Sequence, residues 1–109
     1  MATTYKVLGQ SDPALTTNTT LYTCPASTQT VISTIVVCNR GAASGTYRIA
    51  IRPNGATLAD EHYIVFDTTA PATSTTAYTL GLTIDASDVI TVYSSTSDFS
   101  FNAFGSEIA

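Results

Sequence analysis

Charge is what this sequence has least of. Asp, Glu, Lys and Arg make up 11% of the 109 residues, under half of the roughly 25% usual in soluble domains. Only four residues are basic, Lys6, Arg40, Arg48 and Arg52, against eight acidic ones, for a net charge of -4. So few cations neutralise few phosphates, and counterion release drives most nucleic-acid binding; nucleic acid is not an expected partner. Long apolar runs are missing as well. The longest, Val31–Cys38, is broken by Ser33 and Thr34 and falls far short of the ~20 residues a membrane span needs, so no membrane is expected. There is no Trp and a single His, which removes the usual aromatic platform of lectin-type sites and, with only two Cys, leaves too few ligands for zinc. Met1–Lys6 has no basic segment leading into an apolar one, so no secretory signal is read and synthesis in a cytosol is expected. The length suits one domain and excludes a two-domain enzyme with a cleft between its halves.

Ser and Thr fill the surface instead, at roughly 30% of the chain, and β-branched Thr favours a pleated surface. Turn clusters recur at Gly9–Pro13, Pro25–Thr28, Gly41–Gly45, Pro53–Gly55, Asp67–Ser74, Asp85–Asp88 and Ser94–Asp98. Between them, strands are expected near Thr4–Leu8, Thr20–Cys24, Thr30–Cys38, Thr46–Arg52, His62–Phe66, Ala77–Ile84, Val89–Ser94 and Phe99–Phe104. This spacing, without helical periodicity, predicts an all-β fold: an antiparallel β-sandwich, jelly-roll or Ig-like, of about eight short strands. Residues 1–109 form a single domain in this reading, with residues 9–19 a long loop or arm.

Alternation assigns faces. Tyr47, Ile49 and Ile51 share a core face, as do Tyr78, Leu80, Leu82 and Ile84, with Gly81 marking a bulge or a close neighbour. In Thr30–Cys38 both parities are apolar, Val31, Ile35 and Val37 on one and Ile32, Val36 and Cys38 on the other. That strand is expected to be central, or to have its second face covered by another chain. A hairpin around Pro25–Thr28 would leave Cys38 ~23 Å along the strand from Cys24, too far for a disulfide. Both are read as free thiols, Cys38 as a small core residue.

Chemistry is thinly represented. Asp60-Glu61-His62 offers acid and base groups, but neighbours in a strand face opposite ways and no nucleophile-elbow motif surrounds them; no catalytic residue is assigned, and the chain is not expected to be an enzyme. Asp85 and Asp88 read as turn formers, and neither a metal nor another cofactor is expected. Tyr5, Tyr22, Tyr63 and Tyr93 remain as exposed rings, either rim aromatics or a carbohydrate platform. Arg48 and Arg52 share an outer strand face near Arg40. They form either a solvated face paired to Asp60 or Glu61, or a dock for an acidic partner patch. The polar run Thr16, Thr17, Asn18 belongs either to a mobile loop or to an arm that orders on a neighbouring subunit, which gives six candidate partner contacts: Arg40, Arg48, Arg52, Thr16, Thr17 and Asn18. Asn18-Thr19-Thr20 fits a glycosylation sequon by chance.

The ordered runs Leu21-Tyr22-Thr23-Cys24-Pro25-Ala26, Thr34-Ile35-Val36-Val37-Cys38-Asn39 and Tyr47-Arg48-Ile49-Ala50-Ile51-Arg52-Pro53 with Gly55-Ala56 resemble a family of small tailed-bacteriophage virion structural proteins. His62-Tyr63-Ile64, Leu80-Gly81-Leu82-Thr83, Asp88-Val89-Ile90-Thr91-Val92-Tyr93 and Ser100-Phe101-Asn102-Ala103-Phe104-Gly105-Ser106-Glu107-Ile108 agree. The likeness runs from about Tyr5 to Ile108. It implies residence in the virion after synthesis in the host cytoplasm, as a capsid decoration or cement protein that bridges capsid subunits. The partners implied are the major capsid protein or other virion proteins and further copies of the chain. The alternative is a tail, neck or fibre-tip module that binds a partner protein or a host glycan. The absence of coiled-coil heptads and of β-helix repeats favours the stand-alone subunit.

Overall fold

The computed structural model describes residues 2–109. Nine strands occur among the described residues: β1 (Thr3–Ser11), β2 (Thr19–Thr23), β3 (Gln29–Asn39), β4 (Gly45–Arg52), β5 (Tyr63–Ala70), β6 (Ser74–Tyr78), β7 (Leu82–Ile84), β8 (Val89–Ser94) and β9 (Phe99–Ile108). Two antiparallel sheets form from them. Sheet A has the order β1-β9-β3-β6, with β7 also on β3, and sheet B has β2-β8-β4-β5. Counting β6 and β7 as one interrupted strand turns β8 and β9 into the seventh and eighth, so the orders become 1-8-3-6 and 2-7-4-5. This is the jelly-roll arrangement, which settles the choice against an Ig-like order. Of all consecutive strands, only β4 and β5 pair with each other.

The core lies between the sheets. Ile35, Val37, Phe99, Phe101 and Ala103 of sheet A meet Tyr47, Ile49, Ile90 and Val92 of sheet B, all of them fully buried. Tyr47 packs among Phe99, Phe101 and Tyr78 with ring centroids 5.8 to 6.3 Å apart. Each such side chain contributes about 1.5–3 kcal/mol by leaving water. Among the described residues no helix is long and apolar enough to cross a membrane.

Several expectations need correction, and the cause is mostly backbone irregularity. The strand expected over Ala77–Ile84 is two, because Gly81 at φ +67 breaks it, and Leu80 turns outward at 56% exposure instead of entering the core. The loop expected over residues 9–19 shrinks to Asp12–Asn18, since β1 stays paired with β9 as far as Ser11. No hairpin surrounds Pro25–Thr28: β2 and β3 lie in different sheets. Both cysteines are nonetheless free. Cys38 is half-buried on the outer face of sheet A, not in the core, because the register of β3 on β9 slips between Ile32 and Thr34. That slip exchanges parities, so Ile32, Ile35 and Val37 all point inward. β3 is central, as one of the two expectations had it.

Candidate functional site

Strand β5 lies at the edge of sheet B and pairs only with β4. Against β4 it slips twice, placing Thr68 opposite Tyr47, Val65 opposite Ile49 and Tyr63 opposite Ala50. Phe66 and Asp67 therefore stand together across from Arg48. Such a bulge needs a residue in an unusual conformation, and Asp67 supplies it at φ +50, a region that Asp tolerates and β-branched residues avoid.

The result is an arginine enclosed on three sides. Arg48 Nε donates to Asp67 Oδ1 at 2.6 Å and Nη2 to Oδ2 at 3.2 Å. Its Cζ lies 4.4 Å from the centre of the Phe66 ring and 4.2 Å from that of Tyr93, the residue opposite Arg48 on β8. The guanidinium holds the Asp67 carboxyl below the usual carboxylate range through these hydrogen bonds. Tyr63 meets Phe66 edge to face, centroids 4.8 Å apart at 78°. Beside them opens a hollow of about 470 Å³ lined by Asp60, Tyr63 and Phe66.

Asp60 begins a 3₁₀ turn, Asp60–His62, whose shape comes from its own backbone. His62 Nδ1 accepts the Ala59 N–H at 3.0 Å while the His62 N–H donates to the Ala59 carbonyl at 3.1 Å. His62 thus serves the turn. Among the described residues neither Asp60 nor Glu61 forms an ion pair, so the pairing of Arg48 or Arg52 with them is replaced by Arg48 with Asp67. No group of three or more His, Cys, Asp or Glu able to hold a metal occurs among the described residues. Asp85 and Asp88 shape turns, with Asp88 accepting the amides of Asn54 and Asp85, each at 2.8 Å.

On the other broad surface, the outer face of sheet A, the outward residues of the strands carry no charge, and Asp12, paired with Arg40, borders them beside Gln10, Ser100 and Asn102. The registered rows of this face run Tyr5–Ser106–Val31–Thr83, Val7–Phe104–Thr34 and Gln10–Asn102–Val36–Ala77, ending at Ser100–Cys38–Thr75. None of these is Asp, Glu, Lys or Arg. Tyr5, Val7 and Phe104 are 83%, 48% and 37% exposed. Lys6, the one charged residue of β1, points the other way and pairs with Glu107 at 3.0 Å.

The six candidate contacts are only partly gathered. Thr16, Thr17 and Asn18 are exposed, and the loop is pinned where the Thr16 N–H donates to the Ser94 carbonyl at 2.8 Å. Arg40 shares that end of the sandwich, donating to Asp12 at 2.8 Å and to the Ser97 carbonyl at 3.2 Å. Arg48 lies on the outer face of sheet B. Arg52 sits at the far end of β4, bound to the carbonyls of Gly55 and Ala56 and to Thr91. Of the tyrosines read as exposed, Tyr22 is buried. Phe66 and Asp67 are not among the candidates the sequence offers: Asp67 reads as the start of a turn, whereas β5 continues through it to Ala70, and the one signal is Asp's tolerance of the left-handed region.

No protein-family model, no curated protein and no solved structure matches this chain.

Proposed function

We propose that the chain is a structural subunit of a bacteriophage particle, a capsid decoration protein that bridges subunits of the shell and associates with further copies of itself. The uncharged outer face of sheet A carries this reading. Covering a surface costs little when no charge must be stripped of water, and the cores of protein interfaces are depleted in charge and enriched in aromatic side chains. Tyr5, Val7 and Phe104 stand on that face, while the acidic surplus of the chain lies elsewhere. Arg40 and the Thr16–Asn18 loop, at one end of the sandwich, add polar rim contacts. The sequence resemblance supplies the particle. The jelly roll by itself supplies no function, since one sandwich hosts many.

Protein gels of purified particles are expected to give a copy number comparable to that of the major capsid protein, and the exposed substitutions Val7→Asp and Phe104→Asp to abolish binding to shells without loss of fold. A handful of copies per particle, or undiminished binding by both variants, would overturn the reading. A second reading, a tail, neck or fibre-tip module, draws on the aromatic hollow of sheet B. Labelling of particles confined to the tail would select it.

A further inference from the structure

We infer that the free edge of β1, from Thr3 to Val7, pairs with the same strand of a second copy of the chain, antiparallel about a two-fold axis at Tyr5. This pairing rests on the self-association proposed above and gives it a strand and a register; it needs neither a shell nor a particle.

The backbone fixes which groups are open. Ala2 and Ala109 exchange both of their N–H to carbonyl bonds, at 2.8 and 2.9 Å. In an antiparallel pair such residues alternate with residues that exchange none. The unbroken register from Thr3 opposite Ile108 to Val7 opposite Phe104 therefore turns the backbone groups of Thr4 and Lys6 toward β9 and those of Thr3, Tyr5 and Val7 away from it. Among the described residues no strand lies on that other side, and Thr3–Val7 are all exposed. From Gly9 onward the strand differs, since Gly9 lies against the Leu21 carbonyl of β2.

The other sheet edges are guarded in the ways that keep strands from adding. β5 slips twice and carries Asp67. β2 has five residues and a slip, β6 has five residues and β7 three. β1 has nine residues, no Pro, and no slip before Val7. Its one charge, Lys6, is held by Glu107 on the face away from Tyr5 and Val7.

An open row of backbone donors and acceptors is satisfied by another β-strand, and β1 is complementary to itself. With Tyr5 opposite the second copy's Tyr5, Thr3 lies opposite Val7, Lys6 faces the uncharged Thr4, and every open group of Thr3, Tyr5 and Val7 is used. Two-fold symmetry makes each half of the contact repeat the other. Sliding the pair one way centres it on Lys6 and sets two ammonium groups against each other. Sliding it the other way centres it on Thr4 and leaves Val7 without a partner among the described residues. In the Tyr5 register the axis stands perpendicular to the sheet, so the uncharged outward residues of both copies form one continuous face. The two Tyr5 rings, 83% exposed in the single chain, stand side by side on it and cover each other from water.

The test uses the full chain in solution. Sedimentation equilibrium is expected to give a dimer, with hydrogen exchange of the Thr3, Tyr5 and Val7 amides slowed as concentration rises. Tyr5→Lys, which sets like charges opposite each other, should weaken the dimer about ten-fold; Tyr5 is exposed, so its variants retain the fold. Tyr5→Cys should give a disulfide-linked dimer on mild oxidation, because opposite residues that exchange bonds lie about 5.5 Å apart at Cα, within a disulfide's reach. Thr3→Cys alone should not cross-link, and should do so when mixed with Val7→Cys. A monomer at every soluble concentration, a larger oligomer, a dimer indifferent to Tyr5→Lys, or equal cross-linking of Thr3→Cys and Tyr5→Cys would each overturn the inference. So would protection of these amides only on particles, which would give the edge to a strand of another protein. None of these results bears on copy number in particles, so this pairing and the decoration reading fail separately.

Discussion

At the scale of single residues, a chain of polar contacts runs through Tyr22. Its hydroxyl donates to Glu107 Oε2 at 2.5 Å and lies 2.8 Å from Thr30 Oγ1, which in turn is 3.2 Å from Cys24 Sγ. Burial, followed by the bond to Glu107, raises the Tyr22 pKa. Glu107 is lowered, first by the Tyr22 hydrogen bond and then by Lys6. A carboxylate lowered in the folded state contributes stability that is complete above its unfolded pKa and is lost as pH falls through the folded one. Tyr22→Phe is therefore expected to cost about 1.5–3 kcal/mol near neutral pH, the range for a hydrogen bond to a charged group. The difference from wild type should shrink in acid, which urea titrations at neutral and acid pH would check. Asn39 is buried in the same sense, its Nδ2 serving the carbonyls of Ala43, Ala70 and Pro71 at 3.0 to 3.1 Å. Neither role was legible in the sequence. Tyr22 reads as an exposed ring because only Tyr47 and Tyr78 fall on assigned core faces, but the slip between Thr20 and Tyr22 on β8 turns both Leu21 and Tyr22 inward.

At the scale of elements, alternation located the strands and failed where a strand slips. Bulges in β1, β2, β3 and β5 each change which side chains face the core, because a shift of one residue reverses a strand's faces. Glycine records two different demands. Gly9 follows the bulge of β1 and passes so close to β2 that an added Cβ would lie 2.1 Å from the Leu21 carbonyl oxygen. Gly81 breaks β6 from β7 in open space, with nothing within 4 Å and φ +67. Gly9→Ala is expected to cost about 1–3 kcal/mol by overpacking, more where β2 cannot yield. Gly81→Asn, in a conformation Asn tolerates, should be near neutral. Thermal unfolding of the two variants distinguishes packing from backbone conformation, and equal losses would contradict the assignment. The Tyr63–Phe66 site belongs to this scale too: its residues are visible in the sequence, but their convergence on Arg48 comes from the double slip of β5.

At the scale of the molecule, the sandwich measures 45 × 27 × 21 Å, and its two broad faces differ. One has strands whose outward residues carry no charge and the other is organised around Arg48. Every basic side chain is held by a partner within the chain, Lys6 by Glu107, Arg40 by Asp12, Arg48 by Asp67 and Arg52 by the turn after β4. Trypsin needs such a residue released and its backbone locally opened. The native protein is therefore expected to resist digestion, with the first cut after Arg40, the exposed one outside a strand. Early cleavage after Arg48 would show that β4 is not held as described. The sequence alone determined the class of structure: scarce charge, abundant Thr and regular turn signals leave an antiparallel sandwich as the way to bury these apolar runs. The tertiary structure alone decided the jelly-roll order, the positions of the slips, and hence which face is bare of charge and which ring meets which arginine. Strand pairing such as β1 with β9 joins residues from opposite ends of the chain. Local propensity carries no information about such partners, and register depends on the partner strand.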